Sequence, residues 1–307
     1  MNARDSRGQA AVLTILFMTV LLGASAMALD VGSWFRAKRA LQAQADAAAL
    51  AGAQALPNST SDARSFAIQY ASTNGGSLSP SDVKFSDSTT STPNDTISVQ
   101  MKAPAPGFFS KLFGIDSVTV AAHAAARTDT FNQAKYVAPI GVNFSHPLLS
   151  GSGCPCFDQM TTLTLDMVGP GGFKLLDIDG SRGGINPSVL AEWITSGLDA
   201  WMPLGGYFSD AGTKFNNTDI QDALQARIGT NLLFPVYDSV QSQGTNLQYH
   251  VIGWVGFTLT GFDARGNGGT LSGYFTQVVW TGIQGQTSSG NPTPPANLGA
   301  YSVQLIN

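Results

Sequence analysis

Between Gln9 and Asp30 lie twenty residues without a formal charge. As a helix rising 1.5 Å per residue they span roughly 30 Å, the thickness of a bilayer's hydrocarbon core. A stretch this apolar and this long is expected to cross a membrane, and Asp30 ends it. Residues 34–56 are dense in Ala, Leu, Gln, Lys and Arg, all good helix formers, with Gly52 as the interior breaker. The helix is therefore expected to continue beyond the apolar run as far as Leu56. Pro57 stops it, since proline removes a donor and disfavours helix in the residue before it.

The continuation has a face of small residues. Leu41, Ala45, Ala48, Gly52 and Ala55 recur at alternating four- and three-residue spacing and so fall on one stripe. Small side chains let backbones approach closely, which suits a partner helix. Alanine is also simply a favourable helix former, and both readings stand. Trp34 and Phe35, just past the run, fit an aromatic anchor at the level of lipid headgroups.

Three strings carry a resemblance: Arg7-Gly8-Gln9 before the run, Asp30-Val31-Gly32 after it, and Leu41-Gln42 with Asp46-Ala47-Ala48-Ala49-Leu50-Ala51-Gly52-Ala53. Together they resemble the N-terminal module of the TadE/TadG-like family of the Tad (tight adherence, Flp pilus) assembly system. The layout of residues 62–130 is also similar to extracytoplasmic TadG-like regions. The resemblance implies a single-pass membrane protein with residues 1–9 in the cytoplasm, 10–29 as the transmembrane helix, 30–56 as a juxtamembrane helix and the bulk extracytoplasmic. It implies that Gly8, Asp30, Gly32, Trp34, Leu41, Ala45, Ala48 and Gly52 serve anchoring and helix packing. The partners it implies are the membrane and pilin-like or other pilus-assembly proteins. Prepilin-type cleavage after Gly8 requires an acidic fifth residue, and Leu13 stands there, so an uncut anchor is expected.

Two features compete with that topology. Arg4 and Arg7, the apolar core and Ala26-Met27-Ala28 together read as a secretory signal peptide, although the run exceeds the ~7–15 residues usual for a signal core. Arg36, Lys38 and Arg39 after the run outnumber Arg4 and Arg7 before it, which by count alone places the large region inside. Long domains translocate largely regardless of such charges, so the resemblance decides the orientation.

About 250 residues remain beyond the helix, enough for two ordinary domains, each with its own core. Charged residues make up only 12%, about half the usual fraction, and Glu192 is the sole glutamate. With a net charge of −4 the chain lacks the basic footprint of a nucleic-acid binder. Helical spacing of Ala63, Phe66, Ala67, Tyr70 and Ala71 predicts a helix from Asp62, ended at Asn74-Gly75-Gly76. Strands are expected over residues 82–85 and 95–102, the latter alternating Ile97, Val99 and Met101 against polar neighbours. Phe108, Phe109, Leu112 and Phe113 predict a short amphipathic helix over 107–114, and alternation resumes over 116–127. This is a small α+β domain over residues 57–130.

Residues 131–307 read as a larger β-rich domain. Strands are expected over 136–143, 161–168, 173–178, 232–240, 249–262, 269–283 and 300–306, the last closing the sheet, and helices over 187–197 and 218–228. The strands at 249–262 and 269–283 are expected to form a hairpin about residues 263–268. The fold class is thus α+β, with a long N-terminal helix ahead of two domains.

Candidate chemistry is sparse. Cys154-Pro155-Cys156 holds the two cysteines, too few alone for a tetrahedral zinc site and spaced C-x-C where a redox helix needs C-x-x-C. In an oxidising compartment they suit a tight disulfide or a bond to a partner chain. A cysteine nucleophile would need His146 or His250 beside it. Asp177-Ile178-Asp179-Gly180-Ser181-Arg182-Gly183-Gly184 offers oxygen ligands for calcium but departs from the EF-hand order, and a plain Asp/Gly turn explains it as well. Trp254, Phe257, Phe262, Tyr274, Phe275 and Trp280 are expected to be core, with a partner surface as the alternative. No phosphate loop, dinucleotide fingerprint or zinc helix occurs. No catalytic residue, cofactor or metal site is expected, and the chain is read as an assembly protein instead of an enzyme. A surface adhesin, or an exported ligand-binding protein or enzyme that borrows the anchor, is the alternative.

Overall fold

The structure is a computed structural model that describes residues 6–87, 93–166, 169–182, 184–243, 246–264, 268–283 and 296–306. Met167 and Val168 of the expected strand, Gly183 of the Asp/Gly turn, 265–267 of the hairpin loop and residues 284–295 between the last two expected strands lie outside the described residues. The chain is α+β and divides into two units, Met1–Thr128 with Val303–Asn307, and Asp129–Ser302. The boundary between them falls after Thr128, and the segment from Val303 belongs to the first unit.

Helix α1 runs unbroken from Ser6 to Ala53, roughly 72 Å at 1.5 Å per residue. Its outer and inner halves have opposite surroundings. Between Val12 and Leu29 its large apolar side chains stay 50–70% exposed all the way round. In the same stretch the Thr14 and Thr19 hydroxyls donate to the carbonyls of Ala10 and Ile15, each at 2.8 Å, so these polar atoms need no water. Past Asp30 the helix acquires a buried face. It ends three residues short of Leu56, in a tight turn where the amides of Gln54, Ala55 and Leu56 donate to carbonyls three residues back.

In the first unit that face packs on helix α2 (Thr60–Thr73) and a sheet. Ser59 caps α2 by accepting the Asp62 amide, and Asn74 closes it. Strand β1 (Val83–Ser86) pairs antiparallel with β2 (Thr96–Pro106), and β2 pairs antiparallel with β3 (Ser117–Asp129) from Thr96↔Arg127 to Pro106↔Ser117. Period-two alternation turns Ile97, Val99 and Met101 inward, opposite Ala122, Ala124 and Ala126. From Val303 the C-terminal strand lies beside β3. Of the apolar residues that give α2 its helical spacing, Ala63, Ala67 and Ala71 are buried, while Phe66 and Tyr70 are exposed.

The second unit opens with β4 (Gln133–Ala134) and β5 (Ile140–Asn143), then the single-turn helix α3 (Pro147–Ser150), β6 (Met160–Leu165) and β7 (Gly172–Leu175). Helix α4 (Pro187–Ser196), short strands β8 (Met202–Pro203) and β9 (Gly205–Phe208), and helix α5 (Thr218–Arg227) follow. The chain then enters the long strands β10 (Asn231–Gln243), β11 (Asn246–Asp263) and β12 (Thr270–Thr276). It finishes with β13 (Val278–Val279), β14 (Gly282–Ile283) and β15 (Ala300–Ile306), whose first residues pair in parallel with β13. Pairings run β10-β5-β7-β6-β12-β11, and β11 pairs back to β10, so six strands close a barrel. Phe173, Phe234, Phe257 and Phe275 fill its interior, as side chains do in small barrels. The expected hairpin is β11–β12. The longer one, β10–β11, joins two strands that the sequence pattern leaves unpaired, and the expectation that the last strand closes this sheet is corrected by its passage to β3.

Candidate functional site

The first unit builds its candidate site along α1, beginning where the charge-free run stops. Asp30 is 2% exposed although it sits on an otherwise exposed stretch of helix. Its carboxylate reaches the loop between β2 and β3. Oδ1 accepts the Phe108 amide at 2.8 Å, Oδ2 the Ser110 amide at 2.6 Å, and the Phe109 amide lies 3.2 and 3.0 Å from the two oxygens. Burial pushes this carboxyl up, but the three backbone amides and the Ser110 hydroxyl outweigh it and hold it below the ordinary carboxylate value. The loop is closed on itself as well: Gly107 donates to Asp116 at 3.1 Å, Ile115 to Ser110 at 3.1 Å, and Gly114 takes the left-handed conformation at φ 75°.

Further along, Leu41, Ala45, Ala48 and Gly52 are buried against α2 and β2. The small stripe is therefore occupied by the chain's own elements, α2 being the helix it meets. Gln42 Nε2 donates to the His123 carbonyl at 2.8 Å and Gln44 Nε2 to the Asn74 carbonyl at 2.9 Å, fixing α1 to β3 and to the end of α2. Gly8 lies in the first turns of α1, Gly32 is exposed with open space around it, and Trp34 is half-buried while Phe35 is exposed.

Residues 8–55 match the Tad family model, putative Flp pilus-assembly TadE/G-like. No curated protein and no solved structure matches significantly. The Tad module is thus almost coextensive with α1, and it contains Asp30 and the whole buried stripe. Its outer part passes the length and hydropathy criteria for a membrane span.

Sequence reasoning singled out Asp30 as an anchor residue but missed its ligands. The signal that points to them is the apolar string Phe108-Phe109 and Leu112-Phe113 in a short loop. The expected amphipathic helix there is a single 3-10 turn, Ser110–Phe113, and its apolar side chains are not buried.

The second unit separates the remaining candidates. Cys154 and Cys156 form a disulfide, which leaves no thiolate for a nucleophile. His146 is buried, its Nδ1 accepting the Leu148 amide and its Nε2 lying 3.1 Å from Thr161 Oγ1, while His250 lies 3.0 Å from Asp238. Asp177 is buried and Asp179 exposed, the latter accepting the Ser181 amide at 2.9 Å. Among the described residues no group of three His, Cys, Asp or Glu is placed to hold a metal ion. Trp254, Phe257 and Phe275 are core, whereas Phe262, Tyr274 and Trp280 are half-buried. An open cleft of about 350 Å³ lies between Asp179, Trp201 and Tyr207.

Asp177 supplies a pH prediction. Burial, and then the charge of Asp210, push its carboxyl from 3.8 up to about 6, against a smaller pull from the Gly184 amide. A raised folded value means that the native state keeps a proton the unfolded state has released, so stability falls as pH rises from about 4 through 6. Asp177→Asn is expected to raise the melting temperature at pH 7, with the gain shrinking toward pH 4. Thermal melts of the full chain at both pH values check this, and an equal shift at the two would refute it.

Proposed function

We propose that this chain is a membrane-anchored component of a Tad/Flp pilus-assembly apparatus, held by residues 10–29, with the bulk of the chain on the extracytoplasmic side. It acts by contacts with pilin-like or other assembly proteins and not by catalysis. The observation that carries the reading is the coincidence of the Tad match with a helix that is lipid-compatible outside and packed inside. Because the stripe on α1 is covered within the first unit, contacts with partners fall to other surfaces.

The test is the intact mass of the protein from carbonate-washed membranes of its native host. A full-length mass is expected. Recovery only as soluble protein beginning at Leu29 would make residues 1–28 a signal peptide and favour a secreted adhesin or binding protein. Deleting the gene is expected to abolish pili; normal filaments with lost attachment would remove the assembly role.

A further inference from the structure

The loop from Gly107 to Asp116 presents apolar side chains to the outside with nothing of its own unit covering them. Phe108 is 70% exposed, Leu112 82% and Phe113 83%, and Ile115 and Phe109 are also exposed. These are five large apolar residues within eight positions, beside an exposed Lys111. Soluble surfaces rarely carry so dense a patch unless it meets a partner or a membrane. The loop is also held firmly, by its own backbone bonds and by Asp30. Its exposure is thus part of the folded state.

We propose that this loop is a membrane-docking element, inserting Phe108, Leu112, Phe113 and Ile115 into the headgroup region of the leaflet from which α1 emerges. The proposal rests on reading residues 10–29 as a membrane span. Asp30 is the first charge after that span, so it marks headgroup level. Three amides bound to its carboxylate put residues 108–110 at the same level. In a 3-10 turn of about 2 Å rise per residue, Leu112 and Phe113 lie within about 6 Å of Ser110. The headgroup layer is itself about 5–8 Å deep on each side, so the side chains reach the acyl boundary without moving the loop. Interfacial segments seat apolar side chains at roughly this depth, and Lys111 can run its stem along the surface with its ammonium among the phosphates. A neighbouring protein helix would need no such alignment with the end of the span. Together, span and loop grip one leaflet at two points and stop the first unit from pivoting on a single helix.

The full chain carries its two cysteines as a disulfide, so one added thiol can be labelled selectively. Three single variants, Val20→Cys in the span, Phe113→Cys in the loop and Tyr70→Cys on α2, are labelled with the fluorophore NBD. They are reconstituted into phosphatidylcholine/phosphatidylglycerol vesicles with and without nitroxide-bearing lipids. Tyr70 is the control: it lies one turn from Asn74, which meets Gln44 about 21 Å along α1 from Asp30. The expected result is loss of most emission to lipid nitroxide at residues 20 and 113 and little loss at 70. Quenching at 20 with residue 113 behaving like 70 overturns the docking proposal and leaves the span intact. No quenching at either 20 or 113 overturns both. Protection of residue 113 from lipid nitroxide, with self-quenching between labelled copies, assigns the loop to a second copy of the chain and also overturns it. Phe113 is so exposed that its replacement leaves the fold undisturbed.

Discussion

Gly52→Leu is expected to destabilise the first unit by about 3 kcal/mol or more. Gly52 is buried where α1 crosses α2. A Cβ added there would lie 2.5 Å from Ile97 Cδ1, 2.8 Å from the Ala63 carbonyl oxygen and 3.2 Å from Ala67 Cβ. Non-bonded carbons prefer ~3.5–4.0 Å. The Ile97 methyl can swing away, but the Ala63 carbonyl belongs to the backbone of α2 and moves only with the helix. Gly52→Ala is the milder case: it gains ~1 kcal/mol of helix propensity and loses ~1–3 kcal/mol to overpacking, so a small net loss is expected. Leucine adds three more carbons where even one does not fit. Gly32→Ala is the control, since a Cβ there meets nothing within 4 Å. Denaturant melts of the detergent-solubilised chain, followed by circular dichroism, make the comparison. If Gly52→Leu unfolded together with the parent, the close approach of α1 to α2 would be wrong.

Asp30→Ala is expected to release the loop at residues 107–116 while leaving the packed stripe in place. It removes the acceptor for three backbone amides at once, and a hydrogen bond to a charged group is worth more than a neutral one. The amides of Phe108, Phe109 and Ser110 should exchange with deuterium about tenfold faster or more, whereas those of Ala45 and Ala48 should not change. Asp30→Asn keeps one acceptor oxygen and should fall between. The charge also sets a pH limit. Because the folded carboxyl titrates below its ordinary value of 3.8, its stabilisation is complete above that value and is lost as pH falls through the lower folded one. Protection of the loop amides, taken relative to the intrinsic exchange rate at each pH, should therefore fall in the parent only in that acid range, and Asp30→Asn should lack this fall. Unchanged exchange at residues 108–110 in Asp30→Ala would show that the loop holds itself.

Several elements are legible in the residues alone because their causes are local. The charge-free run and the alanine-rich continuation specify α1 without reference to anything else. Asn74 and Pro187 mark helix ends through their own side chain or ring, and the alternation of Ile97, Val99 and Met101 fixes which face of β2 turns inward. What the stripe on α1 packs against is not local. Leu41, Ala45, Ala48 and Gly52 would suit a foreign helix or a domestic one equally, and only the fold brings Ala63, Ala67 and Ile97 to cover them.

The same division runs through the site and the second unit. The sequence by itself determined a long helix with a lipid-compatible outer half, the α+β class, the Tad resemblance and the importance of Asp30. The reason is that periodicity, charge spacing and caps are short-range properties of the chain. Only the tertiary structure decided that Asp30 grips a loop 78 residues away, that the apolar loop stays uncovered, that β10 and β11 close a six-stranded barrel, and that the last strand returns beside β3. Each of those depends on which distant backbone groups meet, and pairing between distant segments is set by the packing of the whole unit, which no local pattern encodes.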